Sequence, residues 1–100
     1  MRKIVVLEEA AEDIEQGSKF YDLQENGVGD YFEDTIVSDI ESLGLFHGIH
    51  SKYFGFHRLL SERFPFGIYY RETPTGTEVF AVLDLRKNPV WIHKELKSRK

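Results

Sequence analysis

Apolar and polar positions recur with a different period in each part of the chain, and each period predicts an element. Four consecutive apolar residues predict a first strand over 3–7, buried on both faces. Two glutamates follow, at the position where a helix N-terminus favours anions. The helix that begins there ends at Asn26-Gly27. Its apolar stripe, at spacings of four, three and four, is formed by Ala10, Ile14, Gly17 and Tyr21.

A second helix is predicted over Gly29–Leu43, with an acidic outer face. Its apolar stripe consists of Phe32, Ile36, Ile40 and Leu43. The connection between the two helices is short, so we expect an antiparallel helical hairpin. The periodicity is lost over 44–55, where we expect a loop.

Three strands and a last helix complete the predicted order. The third strand is apolar at consecutive positions, which is typical of a central strand, and a turn at Pro74-Thr75-Gly76 precedes it. Asn88-Pro89 favours the start of the last helix, which Trp91, Ile92 and Leu96 should anchor. The predicted strands are Phe56–Leu60, Phe66–Arg71 and Val79–Leu85.

The order β-α-α-β-β-β-α predicts an α+β fold, in which the helical hairpin packs on a small, mainly antiparallel sheet. A length of 100 residues fits one domain over 1–100. Hydrophobic residues make up 41% of the chain and aromatic residues 14%, enough for a packed core and too many for a disordered chain. The sheet face opposite the hairpin, and the cleft beside the last helix, are the expected places for a partner.

The net charge of -4 is unevenly distributed. Residues 1–50 contain twelve acidic and three basic side chains, whereas residues 51–100 contain five acidic and ten basic ones. The basic half predicts a local surface for phosphates or an acidic protein, while the sequence pI near 5.5 argues against indiscriminate nucleic-acid binding. Solvation of the charges is the alternative explanation.

Several kinds of chemistry are excluded by composition. The chain has no cysteine, so disulfides and thiolate ligands are ruled out. Its first apolar run is too short for a signal peptide or a membrane span, so we expect a cytoplasmic protein without membrane contact. His47, His50 and His57 have the spacing of metal ligands but lack cysteine or paired carboxylates, so we interpret them as loop polarity. We predict neither a metal nor a small-molecule cofactor.

Three segments carry a pattern that is informative only in combination. The first is the short strand followed by Ala10, Asp13, Ile14 and Tyr21. The second is Arg58-Leu59 followed by the run from Arg63 to Tyr70. The third is Val79–Leu83 followed by Arg86-Lys87-Asn88-Pro89 and Trp91. In this order and spacing the chain resembles the RelE/ParE superfamily of toxins from bacterial type II toxin–antitoxin systems.

The resemblance implies a growth inhibitor that a cognate antitoxin neutralises. RelE-like members cleave mRNA on the ribosome, whereas ParE-like members inhibit DNA gyrase. The run Arg63-Phe64-Pro65-Phe66 together with Asn88-Pro89 and Trp91 is closer to the ParE-like, or plasmid-stabilisation, branch. Asp84 stands where many relatives carry a histidine, which removes a possible proton-transfer group. We therefore expect a toxin that binds its target and is not an enzyme.

Two alternatives stay open, a RelE-like ribosome-dependent endoribonuclease and an inactive interaction module of the same fold. A ribonuclease needs an acid, a base and cations around the phosphate, for which the candidates are Arg58, Arg63, Arg86, Lys87 and His93. The candidates for contact with a partner are Arg58, Arg63, Phe64, Tyr70, Arg86, Lys87 and Trp91. We expect the four cations of these sets to meet at one recess, opposite an acidic back formed by the first fifty residues.

Overall fold

The structure, a computed structural model, describes residues 2–99. Its elements in chain order are β1 (Lys3–Val6), α1 (Glu8–Gln24), α2 (Val28–Glu41), α3 (Leu43–Phe46), β2 (Lys52–Tyr53), β3 (Phe56–Leu60), β4 (Phe66–Glu72), β5 (Gly76–Asp84) and α4 (Pro89–Ser98).

The five strands form one sheet in the order β1-β5-β4-β3-β2. Strands β2 to β5 pair antiparallel, and β1 pairs parallel with β5. Helices α1 and α2 form the predicted hairpin on one face of this sheet, and α4 lies on the other face. The predicted α+β class and the predicted mainly antiparallel sheet are confirmed.

The prediction of an irregular segment over 44–55 is wrong in part, because this segment contains the end of α3 and the strand β2. Neither element extends beyond about one period of its apolar pattern, so the sequence carries no periodic signal for them. A two-residue turn joins β2 to β3, with positive φ at Phe54 (55°) and at Gly55 (86°). Hairpin turns of this length favour such angles, but a phenylalanine rarely adopts them.

The first strand is also less buried than predicted. None of the residues of β1 is fully buried, and Val6 is 38% exposed. The strand forms an edge of the sheet and pairs only with the first part of β5, from Lys3 opposite Gly76 to Val6 opposite Val79. A run of apolar residues therefore reflects an edge strand here and not a strand covered on both faces.

An aromatic cluster between the hairpin and the sheet forms most of the core. The ring of Phe32 stacks on Tyr21, with 5.2 Å between centroids, and meets Phe64 and Phe66 edge-on at 5.0 and 4.9 Å. Phe32 also lies against the backbone of Gly17, where a Cβ atom would be 2.6 Å from the ring. The two helices can approach this closely because Gly17 has no side chain.

A second, smaller cluster lies under α4 on the opposite face of the sheet. Ile92 and Leu96 from the helix cover it. The pairing of β4 with β5 shifts register between Tyr69 and Tyr70, so that Phe80 is an extra residue in β5. The bulge turns the following residues Ala81 and Leu83 toward α4, where they join Phe56 and Tyr69.

We predict that Gly17→Ala destabilises the protein by about 1–3 kcal/mol, although alanine favours helix more than glycine by about 1 kcal/mol. The added methyl group overlaps the Phe32 ring, which is fully buried and cannot move aside. Urea unfolding followed by circular dichroism measures the difference. Glu12→Ala, at an exposed position of the same helix, is the control, and an equal effect of both substitutions would contradict the packing argument.

Candidate functional site

A groove lies between α1 and α4, and it exists because β1 covers only part of β5. The pairing of these strands ends at Val79, so the edge of β5 from Phe80 onward faces the space between the two helices. The groove has a volume of about 240 Å³. We call it the α1/α4 groove, and it is lined by Asp13, Gln16, Gly17, Phe20, Phe66, Val82, Leu83, Asp84, Lys87 and Trp91.

The floor of the α1/α4 groove is apolar, and its rim carries aromatic rings, the cation Lys87 and the carboxylates Asp13 and Asp84. Val82 and Leu83 form part of the floor and are almost completely buried. Phe20 and Trp91 lie on the two walls and are 46% and 38% exposed. The ammonium group of Lys87 lies 5.1 Å from the centroid of the Trp91 ring, which orders both side chains through a cation–π contact.

Asp13 closes one end of the groove and binds two elements at once. Its carboxylate accepts a hydrogen bond from the backbone N–H of Val82 at 2.9 Å, which satisfies a donor on the uncovered edge of β5. It also accepts a two-pronged bond from the guanidinium group of Arg99, with 3.0 Å between Nη2 and Oδ1. Burial lowers the pKa of Arg99, but the bond to Asp13 and the negative charges of Asp13, Glu95 and Glu9 together outweigh this effect, so the pKa lies above its usual value.

Arg86 is held by the residue that replaces the expected histidine. Its Nη2 and Nε atoms donate to the Asp84 carboxylate at 2.8 and 3.0 Å, and Nη2 also lies 3.4 Å from the hydroxyl of Tyr21. The bond from the Arg86 side chain lowers the pKa of Asp84 below its usual range. Arg86 therefore has an anionic partner within the protein, while Lys87 beside it faces the groove.

Arg58 lies on the face of the sheet that carries α4, opposite the helical hairpin. Its guanidinium carbon is 3.8 Å from the centroid of the Tyr53 ring. Its aliphatic part lies over Gly67, where a Cβ atom would approach Arg58 to 3.2 Å. Within residues 2–99 no carboxylate lies within ion-pair distance of Arg58, so its charge is available to an external anion.

An aromatic–cation stack and an aromatic–imidazole stack lie on the same face. The guanidinium of Arg71 lies over the rings of Phe56 and Phe80 at 4.3 and 5.3 Å. His93 from α4 stacks on Phe54 at the tip of the β2–β3 hairpin, with 4.1 Å between centroids. We call this surface the aromatic–cation face, and it consists of Tyr53, Phe54, Arg58, Arg71, Phe80 and His93, with the buried ring of Phe56 beneath Arg71.

The expectation that four cations meet at one recess is wrong. Arg63 donates to the hydroxyl of Tyr31 at 2.9 Å, which places it on the side of the helical hairpin. Arg86 and Lys87 lie together at the junction of β5 and α4, and Arg58 lies on the opposite face of the sheet. The reason is that Arg58 belongs to β3, whereas Arg63 lies in the β3–β4 loop, which passes beside Tyr31 of α2.

Phe64 and Tyr70 are core residues, which corrects their assignment to a partner surface. Phe64 is 8% exposed and packs against Tyr21 and Phe32. Tyr70 is fully buried, and its hydroxyl accepts a hydrogen bond from the backbone N–H of Gly48 at 3.0 Å. Trp91, which was expected either to contact a partner or to be buried, lines the α1/α4 groove with part of its ring exposed.

His47 and His50 fasten the segment 44–55 to β4, and His57 of β3 contacts both His50 and β4. His47 Nδ1 lies 2.8 Å from Glu72, and His50 Nδ1 lies 2.5 Å from the hydroxyl of Tyr70. His57 stacks on Tyr70, and its Nδ1 lies 2.6 Å from the carbonyl oxygen of His50. In the described part of the chain, no three histidine or carboxylate side chains are arranged to hold a metal ion. Over the same residues, no helix has the length and apolar character to cross a membrane.

Sequence reasoning missed the roles of Asp13 and Arg99. Asp13 lies three residues after Ala10 and four before Gly17. That spacing puts its side chain on the buried face of α1. A charged residue within an apolar stripe predicts a buried partner, and this signal was present in the sequence. No comparable pattern marks Arg99 as that partner.

The fold matches a solved structure, described as a chromosomal ParDE TA system from P. aeruginosa. The TM-score is 0.76, with 19% sequence identity, and the match covers 85% of this chain and 97% of that chain. Neither the models of known protein families nor the curated proteins give a match to the sequence. The predicted RelE/ParE-like fold is thus confirmed.

We predict that the stability of the protein falls between pH 7.5 and 5.5, in part because of His50. Burial lowers the pKa of His50 below its usual value of 6.5, and the neighbouring His57 lowers it further. The unfolded chain therefore takes up the proton first, so the stability that neutral His50 contributes is present above pH 6.5 and is lost as the pH falls through the folded-state pKa.

Urea unfolding at both pH values tests this prediction. His50→Gln should reduce the loss of stability on acidification, whereas His93→Gln, at an exposed position of α4, should leave it unchanged. An unaltered pH dependence in His50→Gln would contradict the assignment.

Proposed function

We propose that this protein is the toxin of a bacterial type II toxin–antitoxin system, of the ParE-like branch. The observation that carries the proposal is the match over nearly the whole length of a chain from a ParDE system. The three sequence segments that resemble the RelE/ParE superfamily support it independently. In this proposal the toxin acts in the cytoplasm. It belongs to the plasmid-stabilisation branch, and its release from the antitoxin arrests the growth of the cell.

The antitoxin, in this proposal, is a protein whose arm docks in the α1/α4 groove. The floor is apolar and the rim exposes Phe20 and Trp91, so apolar side chains of an amphipathic segment can be buried there. Aromatic residues of this kind contribute strongly to binding in protein interfaces. Lys87 on the rim favours an acidic residue beside the apolar ones, while Asp13 and Asp84 disfavour acidic residues over the rest of the groove.

The proposed target is a macromolecule that the toxin inhibits by binding, with DNA gyrase as the first candidate. Two observations favour binding over catalysis. His93 is exposed and stacked on Phe54, and no carboxylate of residues 2–99 pairs with it to form an acid–base couple. Asp84, in the position of the expected histidine, binds Arg86.

Induction of the gene alone, and together with the gene beside it, tests the proposal. The toxin alone should arrest growth and change DNA supercoiling while ribosome-bound mRNA stays intact, and the neighbouring gene should restore growth. Circular dichroism of the purified protein establishes whether the expressed protein is folded. Harmless overexpression of a folded protein would contradict the proposal and favour an inactive interaction module.

A second candidate function, a RelE-like endoribonuclease, is favoured by the aromatic–cation face. Aromatic rings beside cations are suited to stacking bases and binding phosphates of single-stranded RNA, and Arg58 has a free charge there. In this alternative Arg58 stabilises the phosphate and His93 transfers a proton.

We predict that, if mRNA is cleaved at all, Arg58→Gln reduces cleavage by about a hundredfold or more, as expected for a donor that stabilises the transition state. Primer extension on translated mRNA measures the cuts. The matched control is Arg63→Gln, because Arg63 lies on the hairpin side and should not contact the same RNA. Equal loss in both variants would contradict the placement of the site on the aromatic–cation face.

A further inference from the structure

Helix α4 is attached to the rest of the protein through few apolar contacts. Only Ile92 and Leu96 of its apolar side chains are buried, whereas Val90 is 63% exposed and Trp91 38% exposed. A helix of ten residues does not persist in water without tertiary contacts. Something besides these two side chains therefore has to hold α4 in place.

His93 contributes through its stack on Phe54, and Arg99, directly after α4, provides the polar attachment. Its side chain is 8% exposed and binds the Asp13 carboxylate through both terminal nitrogens. Its Nη1 atom also donates to the carbonyl oxygen of Phe80 at 3.3 Å. Glu9 and Glu95 lie 3.6 and 3.3 Å from the same guanidinium group. Arg99 thus links α4 to α1 and to the bulge of β5.

We propose that the bond between Arg99 and Asp13 is a latch: when it is released, α4 leaves the sheet as a unit while the hairpin and the sheet stay folded. The separation of the two apolar clusters makes this possible. The residues under α4 form a cluster on their own face of the sheet, distinct from the aromatic cluster that holds the hairpin. Loss of α4 therefore exposes one cluster and leaves the other covered.

The latch is coupled to the α1/α4 groove because Asp13 belongs to both. Asp13 lines the groove, and Trp91 on its opposite wall belongs to α4. Opening the latch removes that wall and exposes Tyr69 and Leu83, which α4 otherwise covers. A molecule bound in the groove touches Asp13 and so shifts the balance between the latched and the open state. The inference rests on these contacts alone and holds whichever function the protein has.

Hydrogen exchange of backbone amides, resolved by residue, tests the latch in Arg99→Gln. The amides of 92–98 should exchange about tenfold faster than in the unchanged protein, while those of α2 and β4 should change by less than about twofold. The dye ANS should bind to the exposed cluster. The matched control is Lys97→Gln, which removes the same charge from an exposed position of α4 and should change neither readout.

The unchanged protein offers a second test that does not depend on the folding of a variant. In a urea series, the amides of α4 should become exchangeable at concentrations below those that open α2 and β4. The proposal is overturned if α4 opens only together with the rest of the protein, or if Arg99→Gln leaves the exchange of α4 unchanged or accelerates all amides equally.

Discussion

The ring of Phe32 lies directly against the backbone of Gly17, and this contact sets the distance between α1 and α2. Because the helices approach so closely, Tyr21, Phe64 and Phe66 can surround the same ring and join the hairpin to β4 and the β3–β4 loop. The position of α1 over the sheet follows from this packing. The positions of the groove residues that belong to α1 therefore depend on this packing.

The edge of β5 that β1 leaves unpaired is the second constraint. Side chains, and not another strand, bind the backbone groups on this edge. A free strand edge invites pairing with another chain, but Asp13 binds the N–H of Val82 and Arg99 covers the carbonyl of Phe80. The edge is therefore closed to a further strand while the latch is shut. A partner in the α1/α4 groove has to bind through side chains, to the apolar floor and to Lys87.

The sequence predicts the elements with a clear period and fails where the outcome depends on distant contacts. The stripes of α1 and α2 and the consecutive apolar residues of β5 were sufficient to place the hairpin and a central strand. The exposure of β1 could not be predicted, because it depends on how far a distant strand extends alongside it. The separation of Arg58 from Arg63 depends on the path of the β3–β4 loop toward α2. The bond between Asp13 and Arg99 joins residues 86 positions apart, which no local pattern encodes.

The central claim is that a partner protein docks in the α1/α4 groove, and the single tryptophan of the chain lies on its wall. Titration of the purified product of the neighbouring gene, followed by the fluorescence of Trp91, tests it most directly. The account predicts a saturable change in emission, weakened about tenfold by Lys87→Glu and unaffected by Lys97→Glu. Tight binding that neither changes the emission of Trp91 nor responds to Lys87→Glu would contradict it.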